Sequence, residues 1–140
     1  MTATLRAGYS FMEIVIVIAI IAILAGIGIP SYLGHVDRAK DAKTTAHLNL
    51  VKNAINQYYG DTGRFPRALD DLIDQPDQDE PIAKKWHGPY LEIKGGGLPQ
   101  DGWERDFYYE VTPGGKHPYE LYSYGQEGED GPEDKRVSAW

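Results

Sequence analysis

The sequence predicts an α+β protein in which a long N-terminal helix, its first half suited to a membrane, packs on a small antiparallel sheet with an acidic loop near the C-terminus. Three observations carry that expectation. Residues 9–29 form an apolar run with one charge in it, Glu13. Residues 31–59 then place apolar side chains every three or four positions, the period of a helix with one buried face. Residues 106–111 and 119–123 are aromatic and alternate in polarity, as half-buried strands do.

Size and composition narrow the rest. The chain has 140 residues and a net charge of −7, with the acid concentrated near the C-terminus. That length suits one small domain plus an anchor. Because the first thirty residues are so apolar, the others must be polar and can bury only a modest core. There is no cysteine, hence no disulfide, no thiol nucleophile and no soft metal ligand. The acidic balance argues against nucleic acid as a partner, since phosphate binding needs a basic stripe.

The apolar run follows a stub of eight residues that carries Arg6 and ends in Gly8. As a helix its 21 residues reach about 31 Å, matching a hydrocarbon core of about 30 Å. Isoleucine and valine dominate it and suit lipid, where the backbone must bond to itself. Glu13 is the exception. An acid at the centre of such a helix costs roughly 2.5–3.5 kcal/mol on insertion scales, so a chain built only to be anchored would not carry one. A partner for it is expected. Near the exit, Gly26, Gly28 and Pro30 weaken the helix. Pro30 lacks a backbone donor and crowds the preceding turn, which predicts a bend or local melting. Ala25, Gly26 and Gly28 imitate a signal-peptide cleavage site, but the apolar run passes into a helical pattern without a break. The basic flanks, Arg6 against Arg38, Lys40 and Lys43, favour by count the opposite orientation to the one adopted below.

In the second half of the helix, Ala39, Ala42, Ala46, Leu50, Ala54 and Tyr58 mark the expected buried stripe, widened by Leu48, Val51 and Ile55. Arg38, Lys40, Asp41, Lys43, Asn49, Lys52 and Asn56 fill much of the other face. Gly60 and Gly63 end the helix. Residues 67–73 read as one or two helical turns with Leu69, Leu72 and Ile73 inward, and residues 74–81 as a polar loop. Residues 86–103 are rich in Gly and Pro, so they are expected to be irregular and held by Trp86, Tyr90 and Trp103. The two strands join across residues 113–118, and residues 136–140 allow a short third strand.

Several of these words resemble a known family. Gly8, the aromatic Tyr9, Glu13 and the Ile/Val run together look like the class III signal of type IV pilin-like proteins. YYGDTGRFP at residues 58–66, W-x-G-P-Y-L at 86–91, L-P-x-D-x-W at 98–103, Y-S-x-G at 122–125 and a terminal Trp resemble the major pseudopilins of the type II secretion system, over nearly the whole chain. The departures are Tyr9 for the usual Phe, Gly102 for Pro and Glu104 for Gly.

The resemblance implies a division of the chain. Residues 1–8 would be a leader cut after Gly8 by a membrane prepilin peptidase, leaving a methylated Tyr9. Residues 9–30 would be the transmembrane and filament-core half of the helix, 31–60 its amphipathic half, and 61–140 a periplasmic globular domain. It implies no enzyme but the major structural subunit of a pseudopilus, a helical homopolymer that pushes folded exoproteins through an outer-membrane secretin. The partners implied are further copies of the chain, minor pseudopilins, an inner-membrane assembly platform, a cytoplasmic ATPase and the inner membrane itself. Physical chemistry gives the Glu13 partner a form. Cutting after Gly8 frees an α-amine with pKa about 7.7–8. Tyr9 and Glu13 lie one turn apart on a helix, so a small stagger between copies brings the amine of one to the carboxylate of another.

The resemblance also implies a calcium site in the acidic loop, built from an Asp after Y-S-x-G, two consecutive Asp later on, and two backbone carbonyls. Here Glu127 falls at the first acid and Asp134 at the second, Lys135 replaces the third, and the carbonyls belong to Tyr124 and Gln126. Calcium takes six to eight oxygens, and a lysine in that shell removes a ligand and repels the ion. Glu129, Asp130 or Glu133 could substitute; in the rival reading the loop is metal-free and Lys135 or Arg136 neutralises Glu127 and Asp134.

No catalytic constellation stands out. His35, His47, His87 and His117 lack metal-ligand spacing, and Gly95–Gly97 has no strand-to-helix context that would make it a phosphate cradle. The competing functions are a surface type IV pilin, many of which close the C-terminal region with a disulfide that this chain cannot form, and a membrane-tethered enzyme or binding module, for which Glu13 would be dispensable.

Overall fold

The structure, a computed structural model, describes residues 8–77, 81–93 and 95–140, without the side chains of residues 28, 30 and 31. The expected leader, 1–8, therefore lies outside the described residues except for Gly8, as does part of the polar loop at 74–81. Helix α1 spans Phe11–Thr62, and three strands follow: β1 (Tyr108–Val111), β2 (Tyr119–Ser123) and β3 (Val137–Ser138). Short 3-10 turns stand at Leu69–Leu72, Ala83–Lys85 and Glu133–Lys135. The sheet is antiparallel in the order β1-β2-β3, with Tyr109 opposite Leu121 and Ser123 opposite Val137. This is the α+β architecture the sequence predicts.

The chain divides after Arg38 into two units. In the first, α1 is helical throughout its described backbone. It continues through position 30, where a bend or local melting was expected, so the backbone there is not melted. A proline costs about 3 kcal/mol inside a helix, which well-formed turns on both sides can absorb. Its side chain lies outside the described residues.

In the second unit α1 presents Thr44, Leu48, Val51, Ile55, Tyr58 and Thr62 to the interior, a clean alternation of four- and three-residue steps. This corrects the first four positions of the stripe read from the sequence, while its last two, Ala54 and Tyr58, are buried as expected. Ala39, Ala42, Ala46 and Leu50 are exposed, and the residues expected only to widen the stripe are its centre. For the three alanines the reason is volume: Leu and Ile fill space against a sheet where Ala leaves a gap, each contributing about 1.5–3 kcal/mol when fully buried. Leu69, Leu72, Ile82, Leu91, Phe107, Tyr119 and Leu121 complete the core.

The helix runs through Gly60, the first of the two glycines expected to end it, and stops just before the second, Gly63. Gly63 has φ +75 and donates to the Tyr59 carbonyl at 2.8 Å, while the Thr62 hydroxyl donates to the Tyr58 carbonyl at 2.7 Å. The irregular segment is held as expected at two of its three aromatics. Trp86 donates through Nε1 to the Asp71 carbonyl (2.9 Å), and the Tyr90 hydroxyl donates to Asp61 Oδ2 (2.8 Å). Trp103 is half-buried but stands outside the core cluster. β1 begins two residues later than expected, and β3 is shorter, though the Ala139 amide still donates to the Leu121 carbonyl at 3.0 Å.

Candidate functional site

The first region is the start of α1. The helical ladder opens with the Ile14 amide donating to the Ser10 carbonyl at 3.2 Å. A Cβ built on Gly8 would meet nothing within 4 Å, so the protomer makes no steric demand for glycine there. Tyr9 is 79% exposed and Phe11 84%, and every large apolar side chain described between them and Leu33 is exposed too. Contiguous apolar surface on that scale marks a lipid or protein contact. By length and composition this part of α1 is able to cross a membrane. Glu13 lies in the first turn, exposed, where the partial positive charge of a helix N-terminus favours an anion. Among the described residues it makes no ion pair.

The second region is the loop between β2 and β3. Gln126, Glu127, Asp134 and Lys135 line one hollow together with Asp41 of α1, Arg136 and Val137. Glu127 and Asp134 are exposed. Tyr124 does not line the hollow; it packs edge-on to Tyr122, with ring centroids 5.3 Å apart. Among the described residues no three His, Asp or Glu side chains come together as a metal-holding group. Nor, among the described residues, does Lys135 or Arg136 pair with Glu127 or Asp134, as the metal-free reading expected. Arg136 pairs with Glu133 Oε1 at 3.3 Å and lies over the Tyr122 ring, 5.0 Å from its centroid. Burial pushes the Tyr122 hydroxyl up from its ordinary pKa, while Arg136 pulls it down.

Two residues that sequence reading did not single out organise this region. Asp101 is fully buried. Its Oδ1 accepts the amides of Trp103 (2.8 Å) and Arg105 (2.9 Å), and its Oδ2 accepts the Ser123 hydroxyl at 2.6 Å. The Arg105 guanidinium crosses to the loop, where Nη1 donates to the Gly125 carbonyl (2.7 Å) and Nη2 to the Gln126 carbonyl (3.3 Å). Asp101 was visible as the acid of the L-P-x-D-x-W word. Arg105 had no local signal.

Comparisons with known proteins agree with this anatomy. The family model for Type II secretion system (T2SS), protein G matches residues 31–140. The chain is 32% identical over 137 residues to the type II secretion system core protein G of Escherichia coli strain K12, covering 95% of this chain and 90% of that protein. It is 34% identical to the core protein G of Xanthomonas campestris (90% and 82%) and 28% identical to that of Vibrio cholerae (91% and 86%). Its fold is similar to the crystal structure of the major pseudopilin from the type 2 secretion system of enterohaemorrhagic E. coli, with TM-score 0.59 and 24% identity, covering 76% of this chain and 87% of that one. The chain therefore belongs to the protein G family of the type II secretion system, the major pseudopilins, and is a structural subunit of a secretion pseudopilus rather than an enzyme.

Proposed function

We propose that the chain is cut after Gly8, leaves the inner membrane, and polymerises in the periplasm into a filament that pushes folded exoproteins through an outer-membrane secretin. The observation that supports this most is the stretch from Tyr9 to Leu33, whose described large apolar side chains are all exposed and which carries one acid, Glu13, without an ion-pair partner among the described residues. Lipid can cover that surface in the anchored protomer, and other copies can cover it in a filament. Glu13 gives the exchange a register. Once Tyr9 carries a free amine, the amine of one copy and the Glu13 carboxylate of its neighbour neutralise each other in an apolar medium. Removing one member leaves a buried orphan charge, at a cost of about 3–5 kcal/mol. The open space around Gly8 fits recognition from outside, by a peptidase that needs a small residue before the scissile bond. The exported proteins would travel past a growing filament whose other partners are minor pseudopilins and an inner-membrane assembly platform.

The test uses cells with an intact secretion system. Mass spectrometry of the wild-type chain is expected to find a methylated Tyr9 at the N-terminus. Glu13→Val is expected to be cut but to yield no filaments and no released exoprotein. Normal filaments from that variant would refute the charge pair. Deletion of the gene that abolished surface pili and left exoprotein release intact would move the reading to a surface pilin.

A further inference from the structure

The C-terminal loop carries a cation of its own. Arg105 is anchored at its base through both backbone groups: its amide donates to Asp101 Oδ1 (2.9 Å) and its carbonyl accepts the Asp101 amide (2.9 Å). The same buried carboxylate accepts the Ser123 hydroxyl, whose oxygen in turn accepts the Gly125 amide at 3.0 Å. Asp101 thus fixes both the root of the arginine and the start of the loop. The guanidinium closes the circuit on the carbonyls of Gly125 and Gln126. The loop has glycines where it passes these groups closely. A Cβ on Gly128 would stand 3.0 Å from Arg105 Nη1, and one on Gly125 would stand 2.6 Å from the Lys135 carbonyl.

The donor set does not fit a divalent cation. Calcium takes six to eight oxygens, carboxylates prominent among them. The Gln126 carbonyl already accepts from a guanidinium, which stays charged at any ordinary pH and offers donors in a rigid fork. An ion beside it would meet like charge from Arg105 and Lys135. Glu127 and Asp134 face solvent, Lys135 stands in place of an acid, and although Asp41 lines the same hollow, no three carboxylates come together as a metal-holding group among the described residues.

We propose that Arg105 is the resident cation of this loop, holding the carbonyls of Gly125 and Gln126, the second of them one that the family resemblance would give to calcium, so that residues 124–136 are ordered without calcium. The consequence is a change in linkage. A loop held by a bound ion gains stability with the logarithm of ion concentration, whereas one held by a covalently attached guanidinium does not respond to it. This goes beyond the function proposed above and does not depend on it.

The test is thermal melting and hydrogen exchange of the full-length chain in detergent micelles, in millimolar calcium and in chelator. The wild type is expected to melt at the same temperature in both. Amides that donate within the loop, those of Gly128, Gly131, Lys135 and Arg136, should exchange equally slowly in both. Arg105→Gln should lower Tm by about 5 °C with or without calcium. A calcium-dependent rise in wild-type Tm, or loop exchange slowed only when calcium is present, would overturn the proposal. So would an Arg105→Gln chain that melts with the wild type. If that variant cannot be purified folded, the two wild-type measurements still decide.

Discussion

The amide of Gly102 donates to the hydroxyl of Thr44 at 2.8 Å, across 58 positions of chain. Thr44 is fully buried, and its hydroxyl donates in turn to the Lys40 carbonyl at 2.8 Å. The turn at residue 102 therefore docks directly on the backbone of α1, where a Cβ would stand 2.3 Å from the Lys40 carbonyl oxygen. Backbone cannot swing away as a side-chain tip can. Gly102→Ala is expected to cost about 1–3 kcal/mol by overpacking. Thr44→Val, which keeps the shape but leaves the Gly102 amide unbonded, should cost about 1–3 kcal/mol. Urea unfolding of the full-length protein in detergent checks both, and wild-type stability in either variant would contradict the docking.

Glu104, which stands where the family usually has glycine, has φ +62. A residue with a Cβ costs roughly 1–2 kcal/mol in that conformation, partly offset by the unfolded-state entropy that glycine adds. Glu104→Gly is expected to stabilise the chain by about 0.5–1 kcal/mol. A melting curve displaced to lower temperature would show that the side chain contributes more than the strain removes.

Lys52, expected on the solvated face of α1, is instead half-buried. Its Nζ donates to the Ala139 carbonyl at 2.8 Å and lies 4.0 Å from the centroid of a Trp140 ring, against whose other neighbour, His117, the indole stacks. Lys52→Met retains the aliphatic contact and removes both polar ones, at a cost of about 1–2 kcal/mol. Faster proteolytic trimming from the C-terminus is the sensitive readout; an unchanged rate would assign the restraint to Trp140 Nε1, which donates to the Tyr119 carbonyl at 3.2 Å.

Two neighbouring tyrosines should respond oppositely to loss of their hydroxyls. The Tyr109 hydroxyl donates to the Pro66 carbonyl at 2.8 Å. The Tyr119 hydroxyl is buried with no partner among the described residues. Tyr109→Phe is expected to cost about 1 kcal/mol, and Tyr119→Phe to be neutral or stabilising by up to about 1 kcal/mol. Matched urea curves for the two variants test the contrast, and equal losses would end it.

Alkaline pH should weaken the sheet. The Tyr108 hydroxyl donates to Glu110, and that bond, with burial and the carboxylate charge added, raises its pKa from 10.0 to about 12. Burial, with Tyr119 next, pushes Tyr109 up as well. The native state therefore holds these protons more tightly than the unfolded chain does. Their stabilising contribution is complete below pH 10 and is lost as the pH climbs through 10 toward 12. Phenolate absorbance should show a late-ionising fraction among the ten tyrosines, and Glu110→Gln should move part of it to lower pH. A single titration step near pH 10 in the folded protein would contradict this.

Nearest neighbours along the chain were enough to write the membrane-length helix, its stop at Gly63, the β1–β2 hairpin, Glu13 as a lone acid and the family words, because period, turn chemistry and composition are local properties. Choosing which face of α1 turns inward required three dimensions. Alanine and leucine score alike as apolar letters, and Thr44 scores as polar, but the turn at Asp101–Gly102 and the sheet accept only one arrangement of volumes. The same holds for the acidic loop. Its carboxylates could be counted in advance, but the group that grips it, Arg105, acts from 20 positions away, and Lys52 reaches Ala139 from 87. A contact between groups that distant leaves no periodic trace, since it depends on where folding carries two backbones and not on what stands beside either residue.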